Sequence, residues 1–343
     1  MKPAKHSLGI DIAKDKFDVN LRTLESAEGR SATTFKNNPK GFKALHQWLV
    51  KKGAASSELV HACLESTSRY GDALAQFLHQ NAYQVSLVNP RRTRRYADSQ
   101  LTRNVNDKID AGLIADFCAA QRETLSLWEP LSPEHRQLRD LTRARQTLVE
   151  ERERFANLLE TASGLARNTF LKQVRQLDQQ IKQMDKAIKQ FLRLAPDLHK
   201  QVELADSIKG VGWVTAATVV AELPPIDKIP QAAQAVALFG LDPIKKTSGS
   251  SVDTPARLSR MGSRRGRRAL YLPALVALKW NPIIRQLGQR LQNKGRSGKY
   301  VIVAAMRKLL RLIYGVLKQG CPFDPNWNGK AQRAPKTQTP VLT

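Results

Sequence analysis

Hydrophobic and polar positions alternate in short segments over the first hundred residues, and this pattern predicts β-strands. Between the strands, apolar residues recur every three or four positions. This spacing predicts one helix that opens at Asn38 and Pro39 and a second over residues 70–79. Asn89 and Pro90 end the last strand of the series. The predicted strands are residues 6–12, 17–21, 32–35, 59–64 and 85–88.

The order of these elements indicates the fold class. Three consecutive strands form a meander and are followed by helix, strand, helix and strand, which is the RNase H-like arrangement. A doubly wound fold would begin instead with alternating strands and helices. A basic stretch follows Pro90, and residues 107–120 have helical periodicity. We therefore predict an α/β N-terminal domain followed by an all-α remainder.

Two long stretches in the middle of the chain, residues 136–161 and 170–194, are rich in Gln, Glu, Lys, Arg and Leu. The second has apolar residues at alternating three- and four-residue steps, which is the a/d seam of a coiled coil. Ala195 and Pro196 end it. The seam predicts an oligomerisation arm or a helical hairpin within one chain; we favour the arm, although both bury the same stripe. The seam residues are Val174, Leu177, Ile181, Met184, Ile188, Phe191 and Ala195.

The rest of the chain is predicted to be helical to about residue 320, apart from a Ser/Gly-rich break at residues 247–251. The tail after Pro325 is polar and has no apolar period, which predicts disorder. Four regions result from this division. They are an α/β catalytic domain at 1–125, a coiled-coil arm at 126–200, a basic helical domain with a serine loop at 201–325, and a disordered tail at 326–343.

The charge of the chain points to nucleic acid as its partner. The 343 residues carry a formal net charge of +26, and residues 245–330 contain 19 basic residues against two acidic ones. A cluster of this kind attracts polyanions and favours DNA or RNA. The alternative is a protein that is merely soluble and basic, or a ribosome-associated factor, and the clustering of the charge argues against it.

Cysteine usage and hydropathy indicate a cytoplasmic protein that is not inserted in a membrane. Three cysteines, Cys63, Cys118 and Cys321, lie far apart without a CxxC pair, so a zinc knuckle is not expected and a reducing compartment is. Acidic residues interrupt the N-terminus early, which excludes a signal peptide of the usual kind. The longest apolar run, residues 270–278, is too short to cross a bilayer.

Four carboxylates are candidates for a metal site. Asp11 ends the first predicted strand and Glu65 ends a later one that neighbours it in an RNase H-like sheet. Asp107 and Asp110 are three residues apart at the start of a helix, so both can face one side. Carboxylate oxygens are the ligands that Mg²⁺ prefers, and paired metal ions can drive phosphodiester cleavage. Asp107 alone is explained equally well as a helix-start residue.

Further candidates lie in the basic half of the chain. The turn from Gly210 to Gly212 is typical of a helix-hairpin-helix that binds phosphate through backbone N–H groups, and a tight turn between packed helices is the alternative. A serine of the loop at 247–251 is a candidate nucleophile, although such a loop is more often only a loop. The arginines predicted to contact nucleic-acid phosphates are Arg257, Arg264, Arg265, Arg267 and Arg268.

Together, these motifs resemble the DEDD insertion-sequence transposases, which are relatives of the pilin-gene invertases. The resemblance covers residues 8–323, nearly the whole chain. Asn106 departs from the family pattern, which usually has Thr at this position before Asp107. The motifs that carry the resemblance are Gly9-Ile10-Asp11-Ile12-Ala13-Lys14, Leu64-Glu65-Ser66-Thr67, Asn106-Asp107-Lys108-Ile109-Asp110-Ala111, Ile208-Lys209-Gly210-Val211-Gly212, Ser248-Gly249-Ser250-Ser251 and Arg267-Arg268-Ala269-Leu270-Tyr271.

The resemblance implies a RuvC-like N-terminal domain whose DEDD tetrad holds Mg²⁺. It also implies that Ser248 is a nucleophile that forms a transient 5′-phosphoserine link, with Ser250 and Ser251 as alternatives. The implied partners are donor and target DNA, a structured bridge RNA, and further copies of the chain, as dimers that pair into tetramers. The tetrad residues are Asp11, Glu65, Asp107 and Asp110. Two other functions stay open: a junction-resolving endonuclease that uses water as nucleophile, and a non-enzymatic basic nucleic-acid-binding protein.

Overall fold

The computed structural model of the chain divides into two compact units, Met1–Pro130 and Leu131–Thr343. The four-part division made from the sequence is finer and stays a prediction. The tail predicted to be disordered lies outside the described residues from position 327 onward. The structure describes residues 4–24, 29–54, 59–65, 69–100, 107–244, 247–248, 252–253 and 257–326.

A five-stranded sheet forms the centre of the N-terminal unit. Its strand order is β3-β2-β1-β4-β5; the first three strands pair antiparallel, and β4 and β5 run parallel to β1. All five strands expected from the alternation are present, with ends shifted by one or two residues. The strands are β1 (His6–Ile12), β2 (Lys16–Thr23), β3 (Arg30–Lys36), β4 (Val60–Glu65) and β5 (Gln84–Val88).

Helices cover both faces of this sheet. α1 and α2 bury their apolar stripes, including Leu45 and Leu78, against Leu8 and Ile10 of β1. The last helix of the unit packs on β1 and β2 from the other face. The basic stretch after Pro90 forms a helix that the periodicity did not predict. The helices are α1 (Pro39–Lys51), α2 (Asp72–Gln80), α3 (Pro90–Ser99) and α4 (Asp107–Gln121).

The C-terminal unit begins with a long helical hairpin of α5 (Pro133–Leu159) and α6 (Gly164–Leu194). The two helices are antiparallel: Arg145 forms an ion pair with Asp185 at 2.5 Å, and Arg152 with Asp178 at 2.8 Å. Several residues of the predicted seam, such as Val174 and Ile188, are buried within the chain. The hairpin is therefore present in one chain, and a role in oligomerisation stays a prediction.

In the described part of this unit, six further helices and two short ribbons accompany the hairpin, and the helices pack around one buried cluster. β6 (Pro243–Ile244) pairs with β9 (Arg257–Leu258), and β7 (Thr247–Ser248) pairs with β8 (Val252–Asp253), each antiparallel. None of the helices in the described part of the chain is long and apolar enough to cross a bilayer. The six helices are α7 (Pro196–Asp206), α8 (Trp213–Glu222), α9 (Ala232–Leu238), α10 (Arg264–Trp280), α11 (Pro282–Asn293) and α12 (Gly298–Gln319).

Candidate catalytic carboxylates and basic surface

The register of the sheet places Asp11 and Glu65 side by side. In the parallel pairing of β1 with β4, Ile10 lies opposite Leu64, so the next residues along the two strands are the two carboxylates. Side chains alternate between the faces of a sheet, and Asp11 therefore shares a face with Gly9. Glu65 shares its face with Cys63, which belongs to the cluster that packs under α4. Both acids thus lie on the α4 side of the sheet, near the carboxyl ends of their strands.

The helix that carries the other two acids crosses the same face at very close range. A Cβ atom at Gly9 would lie 2.1 Å from the carbonyl oxygen of Ala111, so only glycine allows this approach. Further along α4, Asp116 accepts a hydrogen bond from Arg22 at 2.8 Å, and Arg22 lies opposite Ser7 at the start of β1. α4 therefore runs antiparallel to β1, with its first turn toward the carboxylate end of the strand.

Asp107 is the first residue of α4, and Asp110 follows in the same turn. The Asp107 side chain is outside the described part of the structure. Among the side chains that are described, no three His, Cys, Asp or Glu groups surround one metal position. The backbone thus brings the first turn of α4 to the sheet end where Asp11 and Glu65 lie, without a complete set of ligands among the described groups.

Two polar groups that the sequence did not single out belong to this face. The Thr93 hydroxyl of α3 donates a hydrogen bond to Oε1 of Glu65. Asn20 lies opposite Gly9, and its Oδ1 is buried without a hydrogen-bond partner in the described part of the chain. A buried acceptor without a donor is costly unless a cation or water satisfies it. Asn20 and the carboxylates thus offer oxygen atoms on one face of the sheet, and oxygen is the donor type that a hard divalent cation prefers.

The Gly210 turn is explained by packing. Gly210 has φ +101°, and a Cβ atom there would lie 2.8–2.9 Å from atoms of Ala277 in α10. The carbonyl oxygen of the preceding Lys209 accepts a hydrogen bond from buried Asn281 at 3.2 Å. Gly212, in contrast, caps α8 at φ −94° and has open space around its Cα. Gly210 is therefore required for contact between helices, and Gly212 is the glycine with room for a ligand.

Ser248 lies on a ribbon rather than in an irregular loop. It pairs with Val252 in the β7–β8 ribbon, whose strands lie in sequence between β6 and β9. The Ser248 side chain, together with Gly249, Ser250 and Ser251, is outside the described part of the structure. Ser248, Ser250 and Ser251 therefore all stay candidates for the nucleophile, as the sequence predicted.

The five predicted phosphate-binding arginines fall into two groups. Arg267 donates to the carbonyl oxygens of Phe239 at 2.9 Å and of Gly262 at 3.1 Å. Arg268 forms ion pairs with two glutamates of α5, one of them at 2.7 Å to Glu150. Within the described part of the chain, no ion pair or hydrogen bond engages the guanidinium groups of the other three, which are exposed: Arg257, Arg264 and Arg265.

Three of these arginines, Arg264, Arg267 and Arg268, line a groove of about 980 Å³ between α5, α8, α10 and α12. Burial lowers the pKa of Arg267, and the neighbouring charges of Arg260 and Arg264 lower it further. Tyr271 and Leu272 line the groove and are exposed. The surface therefore combines positive potential with an exposed aromatic ring, which suits a nucleic-acid strand.

Comparison with known proteins identifies the family. A family profile for DEDD transposases of the IS110 type, described as a transposase, matches residues 8–162. A second, described as the transposase IS116/IS110/IS902 family, matches residues 202–289. The chain is 31% identical over 326 residues to the pilin gene-inverting protein of Moraxella lacunata, covering 94% of this chain and 98% of that protein. The chain belongs to the IS110-type transposases.

Two more relatives agree with this assignment. The transposase is also 31% identical over 326 residues to the pilin gene-inverting protein of Moraxella bovis, again over 94% and 98% of the two chains. It is 25% identical over 128 residues to an uncharacterized 43.6 kDa protein of insertion element IS110 from Streptomyces coelicolor. That match covers 37% of this chain and 31% of the relative. The enzyme class is thus that of DNA transposases and recombinases, and DNA is the substrate.

Proposed function

We propose that this transposase cuts and rejoins DNA with a Mg²⁺-dependent DEDD site and a serine nucleophile. The observation that carries the proposal is the register of β1 and β4, which sets Asp11 beside Glu65 on the face crossed by the first turn of α4. The two remaining members of the proposed site are Asp107 and Asp110, at the start of that helix.

We propose an RNase H-like, RuvC-like fold for the N-terminal unit. The strand order, with an antiparallel meander followed by two parallel strands, supports it. In such a sheet, carboxylates at the ends of neighbouring strands meet a helix that crosses one face. The proposed site has this arrangement, which is the reason to treat the fold and the site as one proposal.

The protein groups of the proposed site have separate tasks. A bound Mg²⁺ would polarise the phosphodiester and stabilise the charge that develops on its oxygens. Asp11 and Glu65 supply oxygen donors from a rigid sheet, and the Thr93 hydroxyl orients Glu65. Orientation by such a hydrogen bond keeps a metal-binding carboxylate in one geometry through the reaction.

The proposed covalent step is assigned to Ser248. Its hydroxyl oxygen attacks phosphorus and forms a phosphoserine with the 5′-phosphate, while the bond to the 3′-oxygen breaks. The serine proton is lost to a base, and the 3′-oxygen gains one and leaves as a hydroxyl group. Attack by the 3′-hydroxyl of the exchanged strand then reverses this step and releases Ser248. Ser250 and Ser251 are the alternatives.

The proposed partners follow from charge and from the family. Arg257, Arg264 and Arg265 are available for phosphates, since their guanidinium groups have no partner among the described residues. The relatives named for pilin gene inversion support DNA recombination as the activity. We further propose that a structured bridge RNA directs the protein to its sites, and that dimers pair into tetramers through the α5–α6 hairpin.

A denaturing gel tests the central proposal. The full chain is incubated with DNA that carries the ends of its element, Mg²⁺ and RNA transcribed from the element's flanks. Wild type should give a protein–DNA adduct that is absent in Ser248→Ala. Glu65→Gln should lower adduct formation by on the order of 10²–10³-fold, as expected for loss of a group that supports the transition state.

Two outcomes of this gel contradict the proposal in different ways. Cleavage without an adduct, lost in Glu65→Gln but not in Ser248→Ala, would assign a junction-resolving endonuclease with water as nucleophile. DNA binding without cleavage by any variant, unchanged in Asp11→Asn and Glu65→Gln, would assign a non-enzymatic binding protein. Omission of the RNA tests guidance separately, since cleavage of the same sites without it would remove the bridge RNA from the proposal.

A further inference from the structure

Asp18 is a further carboxylate beside the candidate metal ligand Asp11. It lies on β2 directly opposite Asp11 in the antiparallel register of β1 and β2. Residues that face each other in such a pair point to the same face, with Cβ atoms about 4.5–5.5 Å apart. Asp18 therefore shares the α4 face with Asp11 and continues the row of carboxylates from Glu65 across three adjacent strands.

The surroundings of Asp18 hold it in place. The residue is only 4% exposed. Oδ1 accepts a hydrogen bond from the hydroxyl group of Thr34, its cross-strand neighbour on β3. Oδ2 lies 3.3 Å from Nζ of Lys16, whose side chain is half exposed. Thr34 therefore fixes one oxygen of this buried carboxylate, and the other oxygen is paired with an ammonium group that can be displaced. Such a carboxylate can interact with a metal cation in place of the ammonium group.

Asp18 places a second carboxylate directly opposite Asp11. Like charges directly opposite each other in a sheet repel. The next position on the same face of β2 is Asn20, whose Oδ1 is buried and has no partner among the described residues. Two oxygen acceptors of β2 thus face the same side as Asp11, and a hydrated divalent cation held by Asp11 would attract both of them.

We propose that Asp18 is a positioning residue of the metal centre. It raises the affinity for the divalent cation by adding negative charge beside Asp11 and by accepting a hydrogen bond from a water of the cation's hydration shell. Lys16 occupies Oδ2 in the absence of the cation and competes with it. This inference rests on the proposed function, because it assumes that Asp11 and Glu65 hold the metal.

Mn²⁺ binding to the full chain tests the role of Asp18 without reference to activity. Free Mn²⁺ is measured by electron paramagnetic resonance in titrations of wild type and Asp18→Asn, a change that keeps an acceptor for Thr34. We expect binding at least 10-fold weaker, since partners of metal ligands typically change metal affinity 10–100-fold. Asp15→Asn, which removes the same charge from an exposed turn position, should stay within about twofold of wild type.

Lys16→Met gives an independent test with the opposite sign. Removal of the competing ammonium group should tighten Mn²⁺ binding severalfold, while Lys43→Met, at an exposed position of α1 on the other face, should not. If Asp18→Asn does not fold, as judged by thermal unfolding, the lysine variant decides. Unchanged Mn²⁺ affinity in Lys16→Met would then overturn the inference.

The controls separate this inference from the function on which it rests. If wild type binds Mn²⁺ and Asp11→Asn does not, the proposed metal site holds. Equal affinity in folded Asp18→Asn and wild type would in that case overturn only the role of Asp18. If wild type itself binds no Mn²⁺ in the millimolar range, both proposals fail together.

Discussion

The two units of this transposase place their candidate chemistry on different kinds of scaffold. In the N-terminal unit, Asp11, Glu65 and Asp18 lie on three adjacent strands, and hydrogen bonds of the sheet set their spacing. In the C-terminal unit, Ser248 lies on a ribbon of two-residue strands, and the exposed arginines lie on the short strand β9 and at the start of α10. The first arrangement fixes side chains relative to each other, and the second presents them to a large partner.

The difference has a physical reason. A metal ion requires oxygen atoms within a few tenths of an ångström of set positions, which a paired sheet provides. Phosphates of a nucleic acid tolerate a looser arrangement, because long-range charge supplies much of the binding energy. We therefore expect the largest losses of stability and activity from substitutions that disturb the backbone packing beneath the carboxylates. Substitutions of single charged residues on the basic surface should each lower DNA affinity by a small amount.

The largest effect is expected for Gly9→Val. Its side chain would overlap the backbone of α4 and push the helix from the sheet, so the N-terminal unit should lose more than about 3 kcal/mol of stability and cleavage should be lost. Thermal unfolding and the adduct gel measure the two effects. Gly112→Ala on α4 is the matched control, since its Cβ meets Asn20 at an ordinary 3.5 Å. Wild-type stability in Gly9→Val would contradict the close seating of α4.

Gly210→Ala should have the next largest effect. It imposes φ +101° on a residue with a side chain and brings a Cβ against Ala277, so about 2–3 kcal/mol of stability should be lost. Gly212→Ala should change stability by less than about 1 kcal/mol, because there is space at that position. Chemical denaturation measures both. A weaker DNA affinity in Gly212→Ala at unchanged stability would support the helix-hairpin-helix role of the turn.

Acid should destabilise the C-terminal unit through His135. Burial lowers the pKa of this histidine below its usual 6.5, with a further contribution from Arg139. Because the folded state favours the neutral ring, its stabilising contribution is full above pH 6.5 and falls as the pH drops below that value, by at most about 1.4 kcal/mol per pH unit.

Hydrogen exchange of the amides in α5 and α8, measured from pH 8 to pH 5, tests this dependence after correction for intrinsic rates. His135→Gln should reduce the slope below pH 6.5. The control is His199→Gln, which changes a histidine on the exposed side of α7 next to Glu203. An equal reduction in both variants would assign the slope to general charge effects rather than to the buried ring.

The smallest effects are expected for single arginines. Arg265→Ala should lower the slope of log affinity against log salt by about 0.9, since one phosphate contact is lost. Arg268→Ala should leave that slope unchanged and lower stability by less than about 1 kcal/mol, because its guanidinium pairs with exposed glutamates of α5. Fluorescence anisotropy with duplex DNA at several salt concentrations distinguishes them. Equal salt slopes in the two variants would contradict the prediction that Arg265 contacts a phosphate and that Arg268 does not.

Much of the N-terminal fold could be predicted because its signals are local. Strand alternation, the capping Asn38 and the order of elements are sufficient to place Asp11 next to Glu65. The helix α3 was missed because four of its ten residues are arginines and Thr93 is its only buried residue, so it has no apolar period. The register of β1 with β2, and with it the position of Asp18, depends on the turn between them, which the alternation does not determine.

In the C-terminal unit the missing information was long-range. Nothing near Gly210 in the sequence indicates that its Cα lies against Ala277 of a distant helix. The same holds for Arg267 and Arg268, which resemble their neighbours in sequence. Arg267 has its partners at the end of α9 and in the loop before α10, and Arg268 has its partners on α5. Tertiary partners therefore decide which members of a uniform basic run are available to a ligand.

The hydrogen bond from Thr93 to Glu65 joins a surface helix to a candidate catalytic carboxylate. α3 has arginines at positions 91, 92, 94 and 95, all exposed, on either side of this one buried hydroxyl. If a DNA strand engages these arginines and displaces the helix, we expect the displacement to reach the side chain of Glu65 through this hydrogen bond. Binding of the substrate to α3 would in this way be coupled mechanically to the proposed metal site.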